Sequence, residues 1–257
     1  MKEKKSLIFK FLRWMLWLFY PAIKHEGTEN LPDESSVIVA NHSQMHGPII
    51  CELYPPRKSY TWCAGQMMEW KEVPSYSFED FWSGKPKTSR WFYKILSYLI
   101  TPLCVCIFNN ANTIGVYRDR RIVSTFKNTV NRLRQGADVV IFPEHNEEYN
   151  NIIYDFENNF IEIAKLYYKK TGKELHFVPA YIAPKLKTVY YCKPIRFCAE
   201  NPIEDERERI CNYIKKEITE RAWNLPEHTV VPYRNIPKKY YPKNIPREVN
   251  KNEKAGC

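Results

Sequence analysis

Short apolar runs bounded by turn residues alternate along this chain with stretches whose apolar positions recur at helical spacing. Residues 37–40 (VIVA) lie between Asp33-Glu34-Ser35-Ser36 and Asn41-His42, which predicts a buried strand. Residues 60–64, 138–142 (DVVIF), 176–183 (HFVPAYIA) and 188–197 predict four more. Ile122, Phe126, Val130 and Leu133 repeat at helical spacing over 121–134, and Gly136 is placed to end that helix. Phe156, Phe160, Ile163, Ala164 and Tyr167 mark a second amphipathic helix closed by Gly172. Ile210, Ile214 and Ile218 line one face of a third helix over 203–223. Strands alternating with helices predict a single α/β domain with a largely parallel central sheet flanked by helices.

Two apolar segments stand outside this alternation. Residues 6–20 (SLIFKFLRWMLWLFY) follow a basic start, Lys2-Glu3-Lys4-Lys5. Lys10 and Arg13 interrupt the run, and its longest uncharged part, 14–23, falls short of the ~20 residues a spanning helix needs. Pro21-Ala22-Ile23-Lys24 makes a poor signal cleavage site. Cations beside Trp14, Trp17 and Phe19 predict a helix lying in the membrane interface, the alternative being a helix packed on its own domain. Residues 95–108 (ILSYLITPLCVCIF) are also too short to span and carry Pro102 as a breaker. They predict either a buried helix followed by a strand or a second membrane-touching surface.

Composition narrows the class. With 257 residues, 44% hydrophobic and 26% charged, the chain is neither disordered, nor collagen-like, nor a polytopic membrane protein. A net charge of +10 points to an anionic partner. The excess is at the ends: residues 1–25 carry six Lys/Arg against one Glu, and 229–257 carry seven against two. Residues 26–228 balance. A nucleic-acid binder keeps its excess on the folded face, and no zinc-finger, RNP-type or helix-turn-helix pattern is present, so no nucleic acid is expected. Basic ends beside an aromatic-rich helix predict a peripheral, monotopic protein on the cytoplasmic face of an anionic phospholipid membrane. Beyond 226 the chain turns rich in Pro, Tyr and Lys, which predicts a packed tail or surface strap. The expected organisation is a membrane-associating helix at 1–25, an α/β domain at 26–228 and a basic Pro/Tyr-rich tail at 229–257. Eight cysteines without a CxxC pair predict reduced thiols, and Cys257 lacks the three following residues of a prenylation box.

Polar groups at the C-terminal ends of buried parallel strands are the default site in such a fold. Three places qualify: Asn41-His42-Ser43-Gln44-Met45-His46, Arg118-Asp119-Arg120-Arg121, and Pro143-Glu144-His145. A histidine there can take a proton from an alcohol so that its oxygen attacks an acyl carbonyl. Arginines ahead of a helix can hold a phosphate through paired hydrogen bonds. Glu144 can hold a substrate hydroxyl or position a basic group. Together the three describe acyl transfer onto a phosphate-bearing alcohol. A metal reading uses the four-residue spacing of His42 and His46 with Glu144, His145 and Glu147. Pro48 disfavours a helix covering both histidines, and no metal is expected.

The order Glu29-Asn30-Leu31-Pro32, VIVANHS, IGVYRDR, GADVVIFPE and FVPAYIA resembles the lysophosphatidate/glycerolipid acyltransferase family over residues 27–183. The resemblance implies an O-acyltransferase with a fatty acyl thioester donor, acyl-CoA or acyl-carrier protein, and a lysophospholipid acceptor. It implies no cofactor beyond the thioester carrier. It implies His42 as catalytic base and Arg118 as phosphate-binding arginine, with Arg120 a weaker candidate. Pro143 and Glu144 correspond to the acceptor-binding block, and Val178-Pro179 to the block supporting the acyl donor. Asn41, His46 and His145 complete the candidate substrate-binding set. Two departures stand out. The family places an Asp five residues after its histidine, where this chain has Gly47, and it has Gly-Thr-Arg where this chain has His145-Asn146-Glu147. Glu144 or His145 is therefore expected to contact His42 in place of the missing Asp. A family member that kept the fold and lipid binding without catalysis is the alternative.

Overall fold

The computed structural model describes residues 5–145 and 149–245. Lys2 to Lys4, Asn146, Glu147 and the tail from 246 to Cys257 lie outside them. The elements run α1 (Leu7–Phe19), β1 (Lys24–Glu26), β2 (Val37–Ala40), α2 (His46–Leu53), β3 (Ser59–Ala64), α3 (Val73–Trp82), α4 (Arg90–Asn110), β4 (Thr113–Val116), α5 (Ile122–Arg134), β5 (Asp138–Ile141), α6 (Glu162–Thr171), β6 (His176–Ala183), β7 (Thr188–Tyr191), β8 (Ile195–Arg196) and α7 (Ile203–Trp223). The described strands form one sheet in the order β1-β7-β6-β2-β5-β3-β4, with β8 paired to β6. Pairings are parallel except β6 with β7 and with β8. The expected α/β domain with a largely parallel sheet is the fold observed.

The central strand shows why the pattern was readable. All four residues of β2 are buried, and alternate side chains enter opposite layers. Val37 and Val39 join Val130, Leu133, Ile163, Ile210, Ile214 and Ile218 of α5, α6 and α7. Ile38 and Ala40 join Ile50 of α2 with Val140, Val178 and Ile182. Each fully buried aliphatic side chain contributes about 1.5–3 kcal/mol. At the N-terminal end of the sheet, Asp138 of β5 accepts from the Ser36 backbone N–H at 2.8 Å and from the Arg57 guanidinium. That clamp ties the entries of β2, β3 and β5 together.

Several expectations change. The run 188–197 is two strands, broken at Cys192–Pro194, because Pro194 has no N–H to donate. The left-handed Lys187 (φ 54°) after a short turn sends β7 back antiparallel to β6. Phe156 precedes its helix and bridges to Glu144. The segment 95–108 is neither broken at Pro102 nor a helix then a strand: α4 runs through the proline. The ring removes the bond to the carbonyl of Tyr98, a residue on the exposed face of the helix. With its preceding turn, the stretch Lys87–Asn110 spans 24 residues, long and apolar enough to cross a membrane by length and composition, and 11% of its most apolar window is buried.

α1 forms as expected, but one of its cations, Arg13, and Lys5 just ahead of it face inward. Arg13 bonds Glu52 of α2 at 3.1 Å and also reaches the Glu52 carbonyl, and Lys5 approaches the same carboxylate at 3.6 Å. With those charges drawn onto α2, the outer face of α1 is largely apolar: Leu7, Ile8, Phe11, Trp14, Trp17, Leu18 and Phe19 are exposed, with Lys10 among them. Trp91, Phe92, Ile95, Tyr98, Leu99 and Leu103 of α4 are exposed as well. The seven described cysteines are unpaired thiols.

Candidate active site

β2, β5 and β4 present their C-terminal ends at the same edge of the sheet, with β2 and β5 adjacent and β4 beyond β3. Asn41, 2% exposed, fastens the end of β2 to β6. Its Oδ1 accepts the Ile182 N–H at 2.7 Å, and its Nδ2 donates to the Ile182 carbonyl at 3.0 Å and to Ser43 Oγ at 2.8 Å. The chain then reverses through two left-handed residues, Ser43 (φ 48°) and Gln44 (φ 53°). Non-glycine residues hold that conformation only where the surroundings impose it. The turn closes with the Gly47 N–H donating to the His42 carbonyl at 3.2 Å.

The His42 backbone N–H donates to Glu144 Oε1 at 2.6 Å, and the Tyr154 N–H donates to Glu144 Oε2 at 2.9 Å. The expected contact between Glu144 and His42 therefore goes to the backbone, not the imidazole. Both carboxyl oxygens are taken by main-chain donors, so Glu144 positions the loop and does not orient the ring. Burial pushes its carboxyl up to about 7, outweighing the two N–H groups that pull it down. His145, the other expected partner, turns away. Its N–H donates to the Asp155 carbonyl and its Nε2 lies 3.9 Å from the Asp155 carboxylate.

The His42 ring packs against Phe142 (centroids 5.0 Å) and meets the ring of Tyr233 edge-on (5.5 Å). Its Nδ1 is buried without a hydrogen-bond partner among the described residues. Burial lowers its pKa, against a weaker upward pull from the Gln44 and His42 backbone, which favours the neutral imidazole. The position where an aspartate would have approached is closed. A Cβ on Gly47 would lie 2.4 Å from the His42 carbonyl oxygen and 3.0 Å from the Phe142 ring.

Arg118 follows β4 on the same side of the sheet, three strands from β2. Its side chain is 87% exposed and pairs with Glu157 at 2.9 Å. The hydroxyls of Tyr76 and Tyr233 feel both Arg118 and Asp80, and of these four groups Tyr233 is the one that touches the His42 ring. Arg120 is exposed. Arg121 is spent on structure, bonding Glu72 and Asp119 and covering the Tyr117 ring at 4.0 Å. His46 Nδ1 is 2.7 Å from the Tyr20 hydroxyl, tying the end of α1 to the loop. Pro143 accepts the Glu157 N–H at 2.9 Å. Pro179 is buried inside the sheet opposite Val39, and its carbonyl accepts the Cys192 N–H at 2.8 Å. Among the described residues no group of three or more His, Cys, Asp or Glu is placed to hold a metal ion. Sequence reasoning missed Tyr233 and the role of Phe142. Only Phe142 carried a signal, as the last residue of the run DVVIF.

Glu144 yields a signed pH prediction. Its folded pKa lies above its unfolded value, so its contribution is fully present below about pH 4.5 and is lost as pH rises through about 7. The loss amounts to about 3 kcal/mol. In urea melts between pH 4.5 and 8, wild type is expected to lose stability relative to Glu144→Gln as pH rises. A constant difference between the two would contradict the assignment.

Compared with known proteins, the chain matches no family model and no curated protein. Among solved structures it is similar to the 1-acyl-sn-glycerophosphate (LPA) acyltransferase PlsC from Thermotoga maritima. The identity is 18% and the TM-score 0.42, over 83% of this chain and 79% of that one. At that level of likeness, the reading of function rests on the side chains themselves.

Proposed function

We propose that this chain is an O-acyltransferase, moving a fatty acyl group from an acyl-CoA or acyl-carrier-protein thioester to a hydroxyl of lysophosphatidate or a similar lysophospholipid. The observation that carries the reading is the imidazole of His42, held at the C-terminal end of the central parallel strand between the rings of Phe142 and Tyr233. In this reading His42 takes the proton of the acceptor hydroxyl. The oxygen attacks the thioester carbonyl carbon, the C–S bond breaks, and the departing sulfur takes the proton from the imidazolium. Arg118 exchanges Glu157 for the acceptor phosphate. The Glu144 clamp keeps the loop in place. Nothing in this scheme calls for a cofactor beyond the thioester carrier.

The test is direct. Purified protein with an acyl-CoA and a lysophospholipid should release free thiol and form diacyl product, and His42→Ala should not. A second reading is favoured by one observation, the unpartnered Nδ1 of His42. A lipid-binding protein of this fold without turnover would give no product and bind liposomes equally with or without His42.

The exposed apolar residues of α1 and α4 support placement on a membrane, in this proposal the cytoplasmic face of an anionic bilayer. Because Lys5 and Arg13 are engaged by Glu52, apolar burial should outweigh charge. Flotation with anionic liposomes is expected to lose most binding in Trp14→Glu/Trp17→Glu and less when salt is raised. Equal binding by the double variant would refute this role of α1.

A further inference from the structure

Residues 228–244, which take in nearly all of the described tail, form a loop closed at its base. The Val230 N–H donates to the Pro242 carbonyl at 2.9 Å, the Asn244 N–H to the His228 carbonyl at 3.1 Å, and Thr229 bridges to Lys243. The base is bolted to the domain. Asn244 Nδ2 donates to the carbonyls of Ala222 and Leu225 at the end of α7, at 2.7 and 3.1 Å. His228 Nε2 lies 2.8 Å from the Tyr181 hydroxyl of β6. The far end of the loop rests on the turn that carries His42. Gln44 Nε2 donates to the Arg234 carbonyl at 3.1 Å, and Gln44 Oε1 accepts from the Tyr241 hydroxyl at 3.0 Å. Between those anchors Tyr233 sets its ring edge against His42 and also meets Tyr154.

A basic imidazole works only if its ring stays in one orientation. A carboxylate on Nδ1 is one way to secure that, and it is absent here. Packing is another. Phe142 closes one side of the ring and Tyr233 another, while two hydrogen bonds with the strap, one donated and one accepted, fix the side chain of left-handed Gln44. Resting on the assignment of His42 as base, we infer that the C-terminal strap is the positioning element of His42, with Tyr233 as the residue that holds the ring. The strap supplies by packing what an orienting carboxylate would supply by charge. The charged and titratable groups around the contact are Glu144 beneath the His42 backbone and Asp80, Arg118 and Glu157 around Tyr233.

The test uses the full chain and two readouts. Tyr233→Ala opens the ring to water, so the NMR titration of the His42 imidazole should move up toward the ordinary histidine range. Its kcat for acyl transfer should fall about 10²-fold with KM changed much less. Tyr233→Phe keeps the packing and should rescue both readouts relative to alanine. If Tyr233→Ala fails to fold, Gln44→Ala releases the strap while leaving the aromatic contact residue, and should shift both readouts in the same directions. An unchanged titration and kcat in a folded Tyr233→Ala or Gln44→Ala variant would overturn the inference. So would phenylalanine as damaging as alanine. Absence of turnover in the wild type would sink the acyltransferase reading instead, and the titration would still decide the strap.

Discussion

His42→Ala is expected to lower kcat/KM for acyl transfer by about 10²–10⁴-fold, the range of a lost general base. Its melting temperature should change little by comparison, because the anchors of the loop remain. Asn41 still joins β6, and the His42 backbone N–H still reaches Glu144 whatever the side chain at 42. The wild-type rate should rise with pH and level off below the ordinary histidine range, since burial lowers the imidazole pKa. Initial rates of thiol release across pH 5–8 measure both quantities. A variant as fast as wild type would remove the base assignment, whatever the fold.

Gly47→Asp restores the residue that the resemblance calls for, and it is expected to harm the protein. The new Cβ would lie 2.4 Å from the His42 carbonyl oxygen, which is backbone and has no flexible end to yield. Moving it breaks the Gly47 N–H bond to that carbonyl and displaces the Phe142 ring from His42. Overpacking with a lost buried hydrogen bond costs about 3 kcal/mol. The melting temperature should fall, and turnover should fall with it. A gain in rate without loss of stability would mean that the site is an ordinary histidine–aspartate pair awaiting its second member. Gly47 is thus a consequence of how the turn is packed, not a simple deletion of charge.

What the sequence disclosed divides along a physical line. β2, β5 and β6 were legible because strands buried on both faces read as uninterrupted apolar runs. α5 and α7 were legible because one buried stripe imposes a helical period. Pro102 misled because a local rule about proline was outweighed by the helix on either side of it. At the site, His42 and Glu144 were found by their place at strand ends, yet the nature of their contact was not. Which atom of His42 meets a carboxylate depends on a backbone turn through Ser43 and Gln44 that no residue preference announces. Tyr233 was invisible for another reason. It reaches His42 across most of the chain, from a stretch whose Pro, Tyr and Lys content reads as surface.

The strand order also governs how the protein comes into being. β2 pairs with β5 and β6, which follow it by most of the domain, and β1 pairs with β7. A sheet of such distant partners closes late and slowly, since loop-closure entropy is spent before any pairing repays it. α1 needs none of those partners to present its aromatic face, and it leaves the ribosome ahead of every strand. Under the proposed membrane role of α1, its aromatic face could meet a bilayer before the sheet exists, and the domain that carries His42 would then be assembled beside that surface.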